Sequence, residues 1–258
     1  SKSIEEIISE ANHLAKKGVK EIMLIAQELT YYGLDIYKER SLSKLLYALN
    51  DVNGIEWIRL HYAYPSKFPL DIIDAIRDCN KVCNYLDLPL QHANNRILKR
   101  MQRQITQEET RQLIHEIRAK LPDIAIRTTM LVGFPGETES DFNDLCNFVQ
   151  EMQFERLGVF QYSHEDDTAA FELEDDVDAD TKEERASRLM QIQQEISFQK
   201  NELKIGKEFK VLIDRKEGQY FVGRTEYDSP EVDNEVLIDA KKYLCRMGDF
   251  CKVKITDA

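Results

Sequence analysis

In this 258-residue chain, groups able to do chemistry follow apolar runs. Met130, Leu131 and Val132 lead into Gly133, Phe134, Pro135, Gly136, Glu137 and Thr138. This reads as a buried strand that opens through a glycine-rich loop into a helix. Thr138 is its N-cap, with Asp141 three residues on. Gly133 and Gly136 would let a backbone approach a ligand without a Cβ in the way, and Pro135 stiffens the turn between them. Other runs end alike: the first in Gln27, Glu28 and Thr30, the second in Arg59, His61 and Tyr64. The third ends in Gln91 and His92, and the fifth in Tyr162, Ser163, His164 and Glu165. A carboxylate beside an amide (Glu28, Gln27) suits an ammonium, and a glycine-rich backbone suits adenine or ribose at close range. No P-loop or G-x-G-x-x-G is present. No Ser-His-Asp arrangement can be defended from spacing. Taken singly, Glu28 reads equally well as a turn cap and His61 as a core histidine. The recurrence at successive strand ends favours a site.

The elements that must position these groups alternate. Helical periodicity covers Ile4 to Lys17, with Gly18 closing it. A strand follows from Glu21 to Ala26, a helix from Leu42 to Leu49, and a strand from Trp57 to His61. A helix then runs from near Pro65 through Ile76, and Tyr85 to Leu90 is a strand. Asn95 to Arg103 and Thr106 to Lys120 are helices, the second opened by the capping box Thr106/Glu109. Ile124 to Val132 is a strand, Asp141 to Met152 a helix and Leu157 to Gln161 a strand. Five apolar strands with helical crossovers imply a parallel α/β sheet covered on both faces. In a parallel barrel, chemistry sits at the C-terminal strand ends. Glu165 to Glu184 is acidic and reads as loop, and Thr181 to about Leu203 as helix. Beyond Gly206, short strands at Phe209–Ile213, Tyr220–Thr225, Glu235–Ile238 and Phe250–Ile255 suggest a small β-barrel or sandwich. The expected domains are therefore 1–203 and 204–258.

The net charge of −12 argues against a chain that coats nucleic acid and fits a basic protein partner. No run is long and apolar enough for a membrane span, and no signal peptide is visible. Cys79 and Cys83 are four apart but lack further ligands at a sensible spacing. All five cysteines are expected to be reduced, mostly buried thiols in a cytoplasmic protein.

The segments Ile25–Gly33, Leu60–Pro65, Leu88–His92, Met130–Glu137 and Tyr162–Ser163 resemble the radical S-adenosylmethionine methylthiotransferases. The last strands resemble that family's TRAM domain, and Gly223–Asp233 resembles its RimO-type branch. The resemblance covers essentially the whole chain. It implies a partial radical-SAM barrel followed by a small all-β TRAM barrel. It further implies methylthiolation of the β-carbon of an aspartate in small-subunit ribosomal protein S-twelve. S-adenosyl-L-methionine would be cleaved to a 5′-deoxyadenosyl radical, and two 4Fe–4S clusters would serve the intact enzyme. On this resemblance Gln27 and Glu28 contact the methionine amino group of S-adenosylmethionine, and Thr30 is a further cofactor-binding residue. Gly133, Phe134, Pro135, Gly136 and Glu137 lie near adenine and ribose. Arg59 and His92 face the same cavity, and His61 and Tyr162 are further cofactor-binding residues.

The family's C-x-x-x-C-x-x-C motif is absent, and so are the three cysteines of its N-terminal domain. The clusters' ligands are therefore expected outside this chain, which reads as a fragment inactive alone and cut in its last strand. No metal ligand and no catalytic residue is assigned. The expected partner is ribosomal protein S-twelve on the small subunit, with sulfur and electron donors unidentified. A tRNA adenosine methylthiotransferase of the same family is a second reading. Residues 201–258 hold 11 Lys/Arg against 12 Asp/Glu, and this near-neutral balance counts against direct tRNA binding. A cluster-less, non-catalytic binding module is the third.

Overall fold

The computed structural model describes all residues 1–258. Its first part alternates helix and strand: α1 (Ile4–Lys16), β1 (Glu21–Leu24), α2 (Leu34–Tyr37), α3 (Leu42–Asn50), β2 (Trp57–Leu60), α4 (Asp71–Asp78) and β3 (Tyr85–Asp87). It continues with α5 (Asn95–Arg100), α6 (Gln107–Lys120), β4 (Ala125–Val132), α7 (Glu139–Met152), β5 (Arg156–Gln161) and α8 (Ala179–Glu202). A 3₁₀ turn, Leu29–Tyr31, follows β1. Capping boxes start α1, α6 and α7 at Ser3, Thr106 and Thr138. Each satisfies helix-end N–H groups that would otherwise lack a partner.

β1 pairs β2 in parallel, and β3, β4 and β5 form a second parallel set. A bridge between Ile58 and Val82 joins the two sets. The spatial order is thus 1-2-3-4-5, the sequence order. Right-handed crossovers in one direction put every helix on the same side of the sheet. The expected cover on both faces is met by different means: helices pack on the outer face, and residues 226–233 close part of the inner one. There α3, α4, α6 and α7 deliver Leu45, Leu46, Leu49, Ile73, Ile76, Ile114, Ile117, Phe142 and Phe148 to the core. Each such side chain contributes about 1.5–3 kcal/mol on burial.

β1 ends at Leu24 and β3 at Asp87, shorter than their apolar runs. Pro89 cannot donate to a ladder, and Gln91 is left-handed with φ of 73°. The acidic stretch after β5 is irregular until α8 starts at Ala179, capped by Asp178.

The second part is one antiparallel sheet of β6 (Glu208–Glu217), β7 (Tyr220–Thr225), β8 (Val236–Asp239) and β9 (Phe250–Lys254), in the order β8-β7-β6-β9. A bulge at Asp214 bends β6. Gly223 is required there, because a Cβ would lie 2.4 Å from the Leu212 carbonyl oxygen. The link between β7 and β8, residues 226–233, leaves this sheet and enters the concave face of the parallel one.

Candidate active site

The concave face has two levels. The lower is a layer of buried charge that the 226–233 segment closes. Arg59, fully buried, donates through Nε to Glu21 Oε1 at 2.8 Å and through Nη1 to the Glu226 carbonyl at 2.8 Å. Arg224 pairs with Glu21 and, at 2.9 Å, with Asp214. Arg127 stands 3.1 Å from Asp87 and 3.5 Å from Asp233. Tyr85 donates its hydroxyl to Asp233 at 2.8 Å. Arg156 pairs with Asp228. Burial opposes ionisation of Asp87, but His61 and Arg127 prevail and hold its carboxyl below the usual range. At Asp233 burial wins, and the carboxyl is pushed up despite the Ser229 N–H, Tyr85 and Arg127.

Arg59, expected in the same cavity as His92, thus sits in this layer, away from any open surface. Its position on β2 aims it at Glu21 on the neighbouring strand. His61 crowns the layer. Its Nε2 is 3.1 Å from Ser229 Oγ and its Nδ1 3.7 Å from Asp87 Oδ2.

The upper level is the rim of strand ends. After β1, Glu28 Oε1 accepts from the Thr30 N–H at 2.9 Å, the Thr30 hydroxyl at 2.6 Å and the Tyr64 N–H at 3.2 Å. Glu28 therefore is a cap, and its Oε1 also ties the first rim loop to the second. All three bonds use one oxygen. Gln27 is exposed, and Thr30 is buried beneath.

The remaining rim residues gather at β3, β4 and β5. Both Glu137 oxygens accept from the Gly133 N–H at 3.1 Å, and Arg185 of α8 donates to Oε1 at 2.8 Å. His92 Nδ1 accepts the Asn94 N–H at 2.9 Å, so its proton belongs on Nε2, 3.3 Å from Glu137. Gly133 and Gly136 adopt φ of 71° and 81°. A Cβ on Gly133 would lie 2.3 Å from Lys182 Cγ, and one on Gly136 3.0 Å from the Arg100 guanidinium. The close approach that needs glycine is thus made by side chains of α8 and α5. Arg100 and Arg96 also hold the Pro135 and Gly136 carbonyls, at 3.0 and 2.6 Å. The Phe134 and Tyr162 rings meet edge to face at 5.3 Å. They border a cleft of about 390 Å³ with Gln91, Leu131, Arg100 and Ser163. Tyr62 and Gln91, with φ of 60° and 73°, hold strained backbone at two strand ends.

The structure therefore brings Gln27, Glu28 and Thr30 together on one side of the rim. His92, Gly133 to Glu137 and Tyr162 meet on the other, with His61 below. Sequence reasoning missed Asp87, Arg127, Ser229 and Asp233. A signal existed for Asp87, a charge inside the apolar run Tyr85-Leu86-Asp87-Leu88.

The cysteines offer no ligand set. Cys79, Cys83 and Cys146 are buried singly, and burial pushes the Cys83 thiol up to about 12 and Cys146 to about 11. Cys251, on β9, and Cys245, in the link before it, are half-buried. No group of three His, Cys, Asp or Glu converges as a metal site. No helix is long and apolar enough to cross a membrane.

Comparison with known proteins follows the two sheets. A TRAM domain model matches residues 205–258. Over the whole chain, the sequence is 56% identical to proteins of *Flavobacterium johnsoniae* and *Cytophaga hutchinsonii* named ribosomal protein uS12 methylthiotransferase RimO. A protein of that name from *Bacteroides fragilis* is 47% identical. The chain spans 59%, 59% and 60% of these relatives' lengths. Among solved structures, coproporphyrinogen III oxidase (HemN) of *Escherichia coli*, a radical SAM enzyme, superposes with a TM-score of 0.57 at 20% identity. It covers 73% of this chain and 45% of its own. At that identity the likeness establishes the fold. The radical SAM superfamily model matches residues 1–149, more than half of the chain, and the chain belongs to that superfamily.

Proposed function

We propose that this chain carries the core of a methylthiotransferase that modifies the β-carbon of an aspartate in ribosomal protein uS12. The observation that carries this reading is 56% identity, without a break in coverage, to relatives so named. Complementary charge supports it, since a chain of net charge −12 is suited to docking a basic protein. Protein rather than tRNA is then the modified partner, in the cytoplasm. The catalytic part is residues 1–203 and the TRAM part 204–258.

The rim residues fit S-adenosylmethionine. Glu28 Oε2 makes no bond within the protein, which leaves it for the ammonium of the methionine end, next to Gln27 and Thr30. Phe134 and Tyr162 offer an apolar wall for adenine in a cleft of suitable size, and the Gly133–Glu137 loop lies beside it for ribose. His61 and His92 stand beside this path as further contacts. Bound there, with Gln27, Glu28 and Thr30 at its methionine end, S-adenosylmethionine would supply the radical chemistry of this superfamily. The protein's part is to hold the target carbon close and keep water away. A 4Fe–4S cluster does not fit the residues of this chain, because its buried cysteines are scattered. Its ligands belong outside residues 1–258, and no step is assigned through it.

Two measurements test the reading. Calorimetry of this chain with S-adenosylmethionine should show roughly tenfold weaker binding for Glu28→Gln, which keeps the cap but loses the charge (about 1.4 kcal/mol). Equal affinity removes Glu28 from the site. Mass spectrometry of uS12 after incubation with the cluster-loaded full-length protein should show one added methylthio group. Modification of tRNA in its place would sink the assignment.

A further inference from the structure

The strand β5 is an edge: it pairs with β4 on one side and with no strand on the other. The Tyr162 N–H donates to the Val132 carbonyl at 2.9 Å. Successive residues of a strand turn their backbone groups to opposite sides, so Gly158 and Phe160 also serve this ladder. Leu157, Val159 and Gln161 turn the other way, and no other part of the chain bonds to their N–H or C=O groups. Natural sheet edges are blunted by charge, by proline or by a covering segment. The stretch Leu157-Gly158-Val159-Phe160-Gln161 has neither charge nor proline, and Phe160 and Gln161 are exposed.

There is room for a further strand. A right-handed crossover places the helix that follows a strand over the gap beside it. That helix is α8, and a cavity of about 420 Å³ opens between it and β5. Leu157 and Gly158 lie at its base, Gln193 and Phe198 on the α8 side, and Val232 and Asn234 on the concave side. Gln193 is 3% exposed, and its Oε1 accepts no hydrogen bond. A strand laid beside β5 would bring N–H donors into this cavity.

The edge leads to Tyr162 at the rim and then into Ser163–Asp178, which holds eight Asp/Glu and no Lys/Arg. Glu165, Asp166, Asp167, Glu172 and Glu174 of this stretch are exposed. A basic chain running along β5 would meet these carboxylates as it reached the rim. Neighbouring strands lie about 4.8 Å apart, so its residue opposite Tyr162 would stand beside the Phe134–Tyr162 cleft.

We propose that an extended segment of the basic protein substrate adds to the free edge of β5 as the next strand and so carries its target residue to the rim. Main-chain bonds from Leu157, Val159 and Gln161 hold it, and the acidic stretch fixes its charged flank. This rests on the reading of ribosomal protein uS12 as the substrate.

The test follows amide hydrogen exchange of the full-length protein, residue by residue, with and without uS12. Leu157, Val159 and Gln161 should exchange fast in the free protein and slow roughly tenfold or more with uS12. Gly158 and Phe160, already in the ladder, should change little. Val159→Pro removes one edge N–H and spares the ladder. It should bind uS12 roughly tenfold more weakly and S-adenosylmethionine as before, the second result showing that it folds. If uS12 binds without slowing the three amides, or binds the proline variant equally well, the edge proposal falls and the substrate reading stands. Slow exchange of the three amides without uS12 also overturns the proposal, because the protein's own chain or a second copy then covers the edge. No binding of uS12 at all overturns the substrate reading and this proposal with it.

Discussion

The lower and upper levels of the concave face are built on opposite plans. Below, charges are buried, paired and closed over by a segment from the second sheet: Arg59 and Asp87 are 0% exposed. Above, large apolar groups stand in the open: Ile25 is 62% and Phe160 60% exposed, and the backbone at Tyr62 and Gln91 is strained. A face of one continuous parallel sheet is thus fixed at one end and left free to receive something at the other. The contrast separates residues that hold the two sheets together from residues available to a ligand.

The largest effect is expected at the floor. Asp228→Ala leaves Arg156 buried without its partner and should cost about 3–5 kcal/mol in urea unfolding. A loss below 1 kcal/mol would mean that the floor is not the rigid end, and the contrast would collapse. Next comes the loop at the rim. Gly133→Ala forces a Cβ into the Lys182 stem at positive φ and should cost about 1–3 kcal/mol.

Acid should act with opposite sign on Asp141, beside the rim loop, and on Asp233 in the floor. Burial opposes ionisation of Asp141, but Arg96 and Thr138 prevail and hold its carboxyl at about 2. Its contribution is full above the unfolded value near 4 and is lost as pH falls towards 2, about 1–2 kcal/mol in all. Asp233 is raised, so its contribution is present below that unfolded value and is lost as pH rises through its folded value. Stability curves from pH 5 to 2 should therefore fall in the unsubstituted chain and flatten in Asp141→Asn. The smallest effect is a gain. Gln91→Gly relieves left-handed strain and should add up to about 1 kcal/mol. A loss there would show that the Gln91 side chain supports the rim.

Much of this was legible in the sequence. The strand–helix alternation and the caps at Thr106 and Thr138 are local signals, and local signals survive in a single chain. The rim was legible for the same reason, since each residue follows its own strand. The one-sided helical cover was not, because apolar runs read alike whether buried by helices or by another segment. Nor was the floor. Ser229 meets His61 across 168 positions and Asp228 meets Arg156 across 72. Pairing at such separations leaves no periodicity to read. Arg59 was misplaced on the same account: its partners lie 38 and 167 residues away.

The long helix α8 has a mechanical consequence. Its 24 residues make a rod of about 36 Å. Near its start Lys182 and Arg185 grip the Gly133–Glu137 loop. At its far end Lys200 holds Glu155, which precedes β5. A rod with a load at each end works as a lever. A tilt that tightens one grip would loosen or shift the other, so a change at the rim loop would be felt where α8 meets the start of β5.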